Sequence, residues 1–226
     1  MLTMRIVVLY CLLSFSSVSF AQNHFLGVKG GISWTDITAK DFTIDRNFRT
    51  GTTFGLTYDV RVQKNTHYGV ELIYNQRGFT SDLNSNLIYG GIEGMKGKLI
   101  FNYNYISLPI KVGFDYGEKL YGFTNFCLAP SFLTVARQSL LTVTTDNIVV
   151  PGELSKITSI VNRLDLAFIL ELGGGYKFSR NSLVFASFSF LHSLNSITNK
   201  FYFENTNIKH YGFIFNIGFK FALKKD

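Results

Sequence analysis

The sequence is poor in cysteine and lacks clusters of basic residues, and each shortage excludes a class of protein. It has 2 cysteines in 226 residues. Cys11 lies in an N-terminal segment that we expect to be removed, which leaves Cys127 alone and excludes an internal disulfide. The net charge is +7, and the cations are scattered rather than interleaved with aromatics. This distribution argues against nucleic acid as a partner.

Long apolar runs are also missing, which excludes a transmembrane helix. The opening "MLTMRIVVLYCLLSFSSVSFAQ" has one charge at Arg5, an apolar run from Ile6 to Phe15, and small residues at Ser19 and Ala21. This layout predicts a secretory signal peptide over residues 1–21, cleaved after Ala21. The remainder, 226 − 21 = 205 residues over 22–226, fits one all-β domain.

What the chain does have is alternation of apolar and polar residues with period two, which is typical of β-strands. In "TFGLTYDVRV", for example, Phe54, Leu56 and Tyr58 share one face while Thr57 and Asp59 share the other. The alternation predicts eight strands, at 25–34, 53–62, 67–77, 102–114, 120–132, 163–178, 182–193 and 210–226.

The connections between these strands alternate between short and long. The short ones are 63–66, 115–119 and 179–182, and the long ones are 35–51, 79–98, 134–161 and 194–209. Short turns at one end and long loops at the other, over an even number of strands, predict an eight-stranded antiparallel up-and-down transmembrane β-barrel with short periplasmic turns and four longer extracellular loops.

Irregularities are expected in the third to sixth strands. The third long connection contains "LLTVTTDNIVV" and "KITSIV", so we expect the hairpins of strands 3–4 and 5–6 to project past the others. In the fourth strand, a change of parity near Tyr105 predicts a bulge or a change of environment. We expect Pro109, which removes one ladder bond, to mark that bulge.

The polar faces decide which side of the barrel meets lipid. In strands 6 and 8 they consist largely of Gly, Ala, Ile, Asn and a few charges, which suits a narrow lumen better than a solvated exterior. The apolar faces are bulky, in a chain with 23 Phe and 12 Tyr. We therefore expect lipid on the apolar side; a soluble barrel or sandwich with an apolar interior is the alternative. The residues expected in the aromatic girdles are Trp34, Tyr68, Tyr74, Tyr176, Phe178, Tyr211 and Phe221.

With this orientation the lumen collects charges, and we expect them to form a structural, salt-bridged plug. A charge-gated ion path and a catalytic carboxylate pair are the alternatives. The predicted members are Lys29, Asp59, Arg61, Glu71, Arg77, Lys111, Asp165, Glu171, Lys177 and Lys220.

Motifs of catalysis are missing, so the sequence predicts no catalytic, cofactor-binding or metal site. There is no G-x-S-x-G sequence, and "GGIEGMKGKL" at 90–99 lacks phosphate-loop spacing and is expected to be a flexible loop. His192 and His210 flank the last long connection and are the candidates for a site at the outer rim. Other residues available there are Asp146, Glu153 and Ser193.

Four segments carry a family resemblance: "FLGVKGGISW", "YNYISLPIKVGF", "LDLAFILELGGGYKF" and "YGFIFNIGFKF". Over residues 22–223 the chain resembles the PorT-like outer-membrane β-barrel family. The resemblance implies a barrel in the cell outer membrane, and some members of that family are linked to type IX secretion. Phe219-x-Phe221 also resembles the aromatic terminal strand by which outer-membrane barrels are recognised for insertion.

The expected function is therefore non-enzymatic. We expect the barrel to contact outer-membrane lipid and to present extracellular loops to an envelope or extracellular partner, such as a secretion or assembly apparatus. The alternatives are a barrel enzyme of protease or acyltransferase type at the extracellular rim, and a small porin.

Overall fold

The computed structural model describes residues 23–39, 45–63, 65–83, 96–143, 149–179, 181–198 and 207–223. The predicted signal peptide lies outside these residues. Ten strands are formed: β1 (Asn23–Ala39), β2 (Arg46–Arg61), β3 (Thr66–Leu83), β4 (Lys96–Ser107), β5 (Ile110–Gly117), β6 (Leu120–Val143), β7 (Val149–Lys156), β8 (Leu164–Lys177), β9 (Ser182–Ser193) and β10 (Ile208–Leu223).

The strands form a closed antiparallel ring, which confirms the predicted eight-stranded up-and-down barrel. β4 and β5 are the two parts of the predicted fourth strand, and β7 pairs only with β6, outside the ring. β10 closes the ring by pairing with β1 from His24↔Leu223 to Ala39↔Ile208. This pairing leaves no open edge within the ring.

The register gives the barrel its tilt. A row of directly paired residues that starts at Gly122 of β6 passes round the ring through β8, β9, β10, β1, β2, β3 and β4. It returns to β6 at Phe132, a stagger of 132 − 122 = 10 residues. Eight tilted strands with this stagger enclose a space that side chains fill.

The apolar faces point outward, as predicted. Phe54 is 59% exposed and Ile217 is 61% exposed, whereas Lys111 on the inner face is 3% exposed. The aromatic residues expected near the strand ends, among them Tyr68 and Tyr176, belong to this outward face. A soluble barrel would show the reverse pattern, so the outer surface of the ring is one that lipid must cover.

The two ends of the barrel differ. At the turn end, the connections are short, and Gly117 makes the β5–β6 turn with a φ of 97°, a conformation that glycine adopts readily. At the other end, which we call the loop end, strands run far into segments predicted as loops. β1 continues to Ala39 and β6 to Val143, so the bounds 35–51 and 134–161 were wrong.

Strand pairing at the loop end builds a projecting sheet from the ends of β3, β4 and β6 together with β7. This confirms the projection of the two hairpins. Of "KITSIV", only Lys156 lies in a strand, and Val161 makes an isolated bridge to Thr198.

A bulge lies opposite the fourth predicted strand, and a separate break lies within it. The register of β4 on β6 shifts between Asn104 and Tyr105, with Thr134 of β6 as the extra residue. An irregularity near Tyr105 is therefore confirmed, but the bulged strand is β6, and along β4 the change of parity reflects a change of environment. Pro109 does not mark the bulge. The proline separates β4 from β5, but the register on β3 and β6 is the same on both sides of it. Carbonyl oxygens maintain the ladder there, since Pro109 accepts a bond from the Glu71 N–H at 2.9 Å.

Among the residues described, there is no helix of a length and hydrophobicity sufficient to cross a membrane.

Candidate functional site: the filled lumen

A chain of alternating charges runs through the middle of the lumen. Lys111 Nζ bridges Asp59 at 2.8 Å and Glu71 at 2.7 Å. Lys29 Nζ continues the chain from Glu71 at 2.7 Å to Glu171 at 3.4 Å. At its other end, Lys220 Nζ lies 2.5 Å from Asp59. The structure therefore brings six of the predicted lumen residues into one network.

A polar arm extends this network toward the turn end through residues that the sequence analysis did not single out. Asn125 donates to Glu171 at 2.6 Å and contacts His67 at 2.9 Å. His67 lies 3.3 Å from Asp115, which also pairs with Arg61 at 2.5 Å. Asp115 was assigned to a turn, although its period-two spacing from Lys111 places both on the inner face of β5.

Arg77 and Asp165 form a second, separate ion pair nearer the loop end. Arg77 Nη1 donates to Asp165 at 2.5 Å, and both side chains are almost completely buried. Two hydroxyls join the pair: Ser193 donates to Asp165 at 3.1 Å, and Arg77 donates to Ser131 at 3.1 Å. The guanidinium also lies over the ring of Tyr105, 4.6 Å from its centroid, an attractive cation–π geometry.

The ion-paired groups balance. Five cations are paired with five carboxylates: Lys29, Arg61, Arg77, Lys111 and Lys220 with Asp59, Glu71, Asp115, Asp165 and Glu171. Lys177 does not join them: no ion pair of Lys177 occurs in the described ranges, and its Nζ lies 4.9 Å from the ring centroid of Tyr121. Because buried charges are costly unless they are paired and hydrogen-bonded, this balance fits a structural plug.

Glycines on the inner face leave the space that the network occupies. A Cβ on Gly69 would collide with the Asp59 carboxylate and the Lys111 side chain. One on Gly113 would collide with His67 and Asn125. Glycines on the inner face therefore have a second role: they leave room in the narrow lumen for the long side chains of neighbouring strands.

Apolar side chains close the lumen on both sides of the charges. At the turn end, a cluster of Phe25, Tyr121, Phe123, Leu183 and Phe185 fills the interior. Lys220 Nζ lies 4.5 Å from the Phe185 centroid and so joins this cluster to the network.

At the loop end, a larger group, which we call the upper core, fills the interior. It consists of Ile37, Phe79, Phe101, Tyr103, Tyr105, Leu133, Ala136, Ile157, Val161, Ile197 and Ile208. Phe79 and Phe101 stack there with centroids 4.4 Å apart. The described lumen contains a cavity of about 30 Å³ beside Lys29 and Glu71, with room for about two waters, and one of about 20 Å³ that borders the turn-end cluster.

Of the candidate rim residues, the structure describes the side chains of His192, His210 and Ser193, and it does not bring the two histidines together. His192 and His210 lie on opposite faces of the wall, because Tyr211, not His210, pairs with His192. His210 is buried at 0% exposure in the interior, between the rings of Tyr103 and Tyr105. Ser193 is bound to Asp165. Asp146 and the side chain of Glu153 lie outside the described residues.

The sequence matches a family profile described as "Outer membrane protein beta-barrel domain" over residues 20–199, and the chain belongs to this family. It is a β-barrel of the cell outer membrane. The turn end accordingly faces the periplasm and the loop end the exterior. Comparison of the sequence with curated proteins gives no significant match.

Solved structures of small outer-membrane barrels are similar in fold. Neisserial surface protein A is 10% identical, with 88% of this chain and 97% of that chain covered and a TM-score of 0.45. OprG from Pseudomonas aeruginosa is 13% identical, with coverages of 90% and 97% and a TM-score of 0.49. Ail of Yersinia pestis, in complex with the heparin analogue sucrose octasulfate, is 13% identical, with coverages of 88% and 99% and a TM-score of 0.40.

Proposed function

We propose that this chain is a non-enzymatic outer-membrane barrel that holds a binding surface at its loop end for a protein of the envelope or the extracellular space. The observation that carries the proposal is the upper core. Apolar packing inside the projecting strands fixes the shape of that end, whereas a barrel that only crosses the bilayer has no need of strands beyond it. The exposed residue Leu154, at 62% exposure on β7, belongs to this surface.

Site-specific photocrosslinking in intact cells tests this proposal. A photoreactive residue in place of Leu154 is expected to give a discrete adduct with one protein. The matched control is Leu120, another exposed leucine, 76% exposed at the turn end, which is expected to give none. An adduct at Leu120 alone, or none at positions spread over the loop end, would contradict the proposal. Pull-down from detergent-solubilised envelopes would then identify the crosslinked protein.

We also propose that the chain is PorT-like and acts as an accessory of secretion or assembly. The four segments support the family resemblance, and the role follows from the link of some members of that family to type IX secretion. A deletion strain is expected to accumulate secreted cargo in the periplasm, and re-expression of the full chain is expected to restore its release. Normal release of cargo from the deletion strain would contradict the secretion role. It would not bear on partner binding at the loop end, which the crosslinking experiment tests.

The small-porin alternative is disfavoured by the charge-paired lumen and its cavities of about 30 and 20 Å³. Planar-bilayer recordings of the refolded protein are expected to show no conductance steps. Regular steps would instead favour the porin.

The barrel-enzyme alternative is disfavoured by the opposite directions of His192 and His210. Any hydrolytic activity of the preparation is expected to be unchanged in a His192→Ala/His210→Ala double variant. Loss of such an activity would favour the enzyme.

A further inference from the structure

Two cations face each other on the outer surface of the projecting sheet. Arg137 of β6 and Lys156 of β7 are direct cross-strand partners, and both side chains are exposed. Residues paired in this way have Cα atoms about 4.5–5.5 Å apart, and like charges directly opposite each other destabilise a sheet. In the described ranges, no carboxylate forms an ion pair with either residue.

The pair adjoins the surface that lipid covers. On the outward face of β6, Arg137 follows Val135. The bulge at Thr134 separates these two from Phe132, which is 46% exposed. At the end of β7, the chain turns and returns toward Leu164, the exposed first residue of β8. The outward residues of β4 change at the same level, from Ile106 to Asn104 and Asn102. The two cations thus point sideways from the wall, just beyond its apolar band.

We propose that Arg137 and Lys156 bind a phosphate of an outer-leaflet lipid headgroup. A phosphate between the two cations would remove their repulsion and accept hydrogen bonds from both. Lipid is the source that the geometry favours, because the side chains extend the lipid-facing surface rather than the top of the loop end. Each cationic residue beside a bilayer raises the affinity of a protein for anionic headgroups by about fivefold. The inference does not depend on the protein partner proposed above.

Native mass spectrometry of the refolded mature chain in detergent, titrated with diphosphoryl and monophosphoryl lipid A, tests the site. The wild type is expected to retain diphosphoryl lipid A, and Arg137→Gln/Lys156→Gln is expected to lose affinity by about 25-fold. The matched control is Lys98→Gln. Lys98 lies on the same sheet face, but its cross-strand neighbour is Asp82. The affinity of the Lys98→Gln variant for diphosphoryl lipid A is therefore expected to equal that of the wild type.

A charge-reversal variant separates binding from folding. Lys156→Glu places opposite charges across the strands, so resistance to urea should rise while retention of diphosphoryl lipid A falls. Equal retention by the wild type and the double Gln variant would overturn the proposal, as would an equal loss in Lys98→Gln. Complete displacement of the lipid by millimolar inorganic phosphate would also overturn it, because the ligand would then be the free anion.

Discussion

β4 and β5 form one continuous path along the wall. On the two sides of Tyr105, the inward-pointing and outward-pointing side chains of this path exchange their chemical character. Toward the loop end, Phe101 and Tyr103 point inward and Asn102 points outward. Toward the turn end, Lys111 points inward and Ile110 outward. The direction of the side chains never changes along this path. What changes is the solvent outside, from water to hydrocarbon.

The contrast shows what holds each half together. Where water surrounds the wall, apolar burial inside supplies the driving force, so the upper core resembles that of a soluble protein. Where lipid surrounds the wall, an apolar interior would gain little over an apolar exterior. The middle of the lumen there is instead filled by ten paired charges, and apolar side chains close it at the turn end. We infer that these pairs specify one arrangement of the strands, because each charge has few alternative partners.

The largest effect is expected from removing one member of the isolated ion pair. Arg77→Met leaves the Asp165 carboxylate buried without its cation, and it should reduce the free energy of unfolding by about 3–5 kcal/mol. Urea unfolding in detergent, followed by the emission of the single tryptophan, Trp34, measures it. The double variant Arg77→Met/Asp165→Leu should recover most of the loss. If the single variant were as stable as the wild type, the ion pair would not hold the lumen together.

Alternation predicted the ring, its orientation and the inner-face charges, because a strand repeats every two residues whatever solvent lies outside. The same pattern did not reveal that Asp115 and His67 link the network, since their importance depends on the register between strands distant in sequence. The extensions of β1 and β6 at the loop end were missed for another reason. Beyond Tyr105 the inward residues are apolar and the outward ones polar, the reverse of the pattern in the membrane-spanning strands. The segment "FNYNY" shows this reversal, and the sequence predicted a bulge or a change of environment there. No periodicity of the sequence indicates which protein the loop end would bind.

The second prediction tests the water-surrounded half. Phe101→Ala removes one ring of the stacked pair with Phe79 and leaves a cavity in the upper core. The loss should be about 3–4 kcal/mol, in the lower part of the range for buried phenylalanine, because strand ends can partly relax. Unfolding in urea measures the loss. The protein should still insert and close its ring, as judged by different mobility of boiled and unboiled samples. Failure to insert would show that the two halves are not separable.

The third prediction places the same side chain on the outer wall of each half. Leu56→Arg puts a charge in the middle of the lipid-facing surface, and it should destabilise the barrel by about 2–4 kcal/mol. Leu154→Arg puts the same charge on the outward face of the loop end, opposite Ser139 and at a site that is 62% exposed, where water solvates it. It should change the stability by less than about 0.5 kcal/mol. Unfolding from lipid vesicles compares the two. Equal costs would mean that the loop end is also embedded in hydrocarbon.

The smallest effect, and the only one of opposite sign, is expected at His210. The side chain is completely buried against the upper core. Among the described residues neither ring nitrogen has a hydrogen bond of good geometry, and the Asp36 backbone offers it only a weak polar contact. His210→Leu replaces an unsatisfied polar group by an apolar one of similar size, so it should be neutral or stabilise the protein by up to about 1 kcal/mol.

The matched control is His67→Leu, the same change in the charged half. His67 contacts Asn125 at 2.9 Å and Asp115 at 3.3 Å, and its loss leaves the Asn125 carbonyl oxygen buried without that partner. This variant should be destabilised by about 1–3 kcal/mol. Each variant replaces one histidine by leucine. Urea unfolding of both at the same pH therefore gives two changes in the free energy of unfolding that can be compared directly. If His210→Leu lost as much stability as His67→Leu, the upper core would contain a polar contact of its own, and the division of the interior into a charged and an apolar half would be wrong.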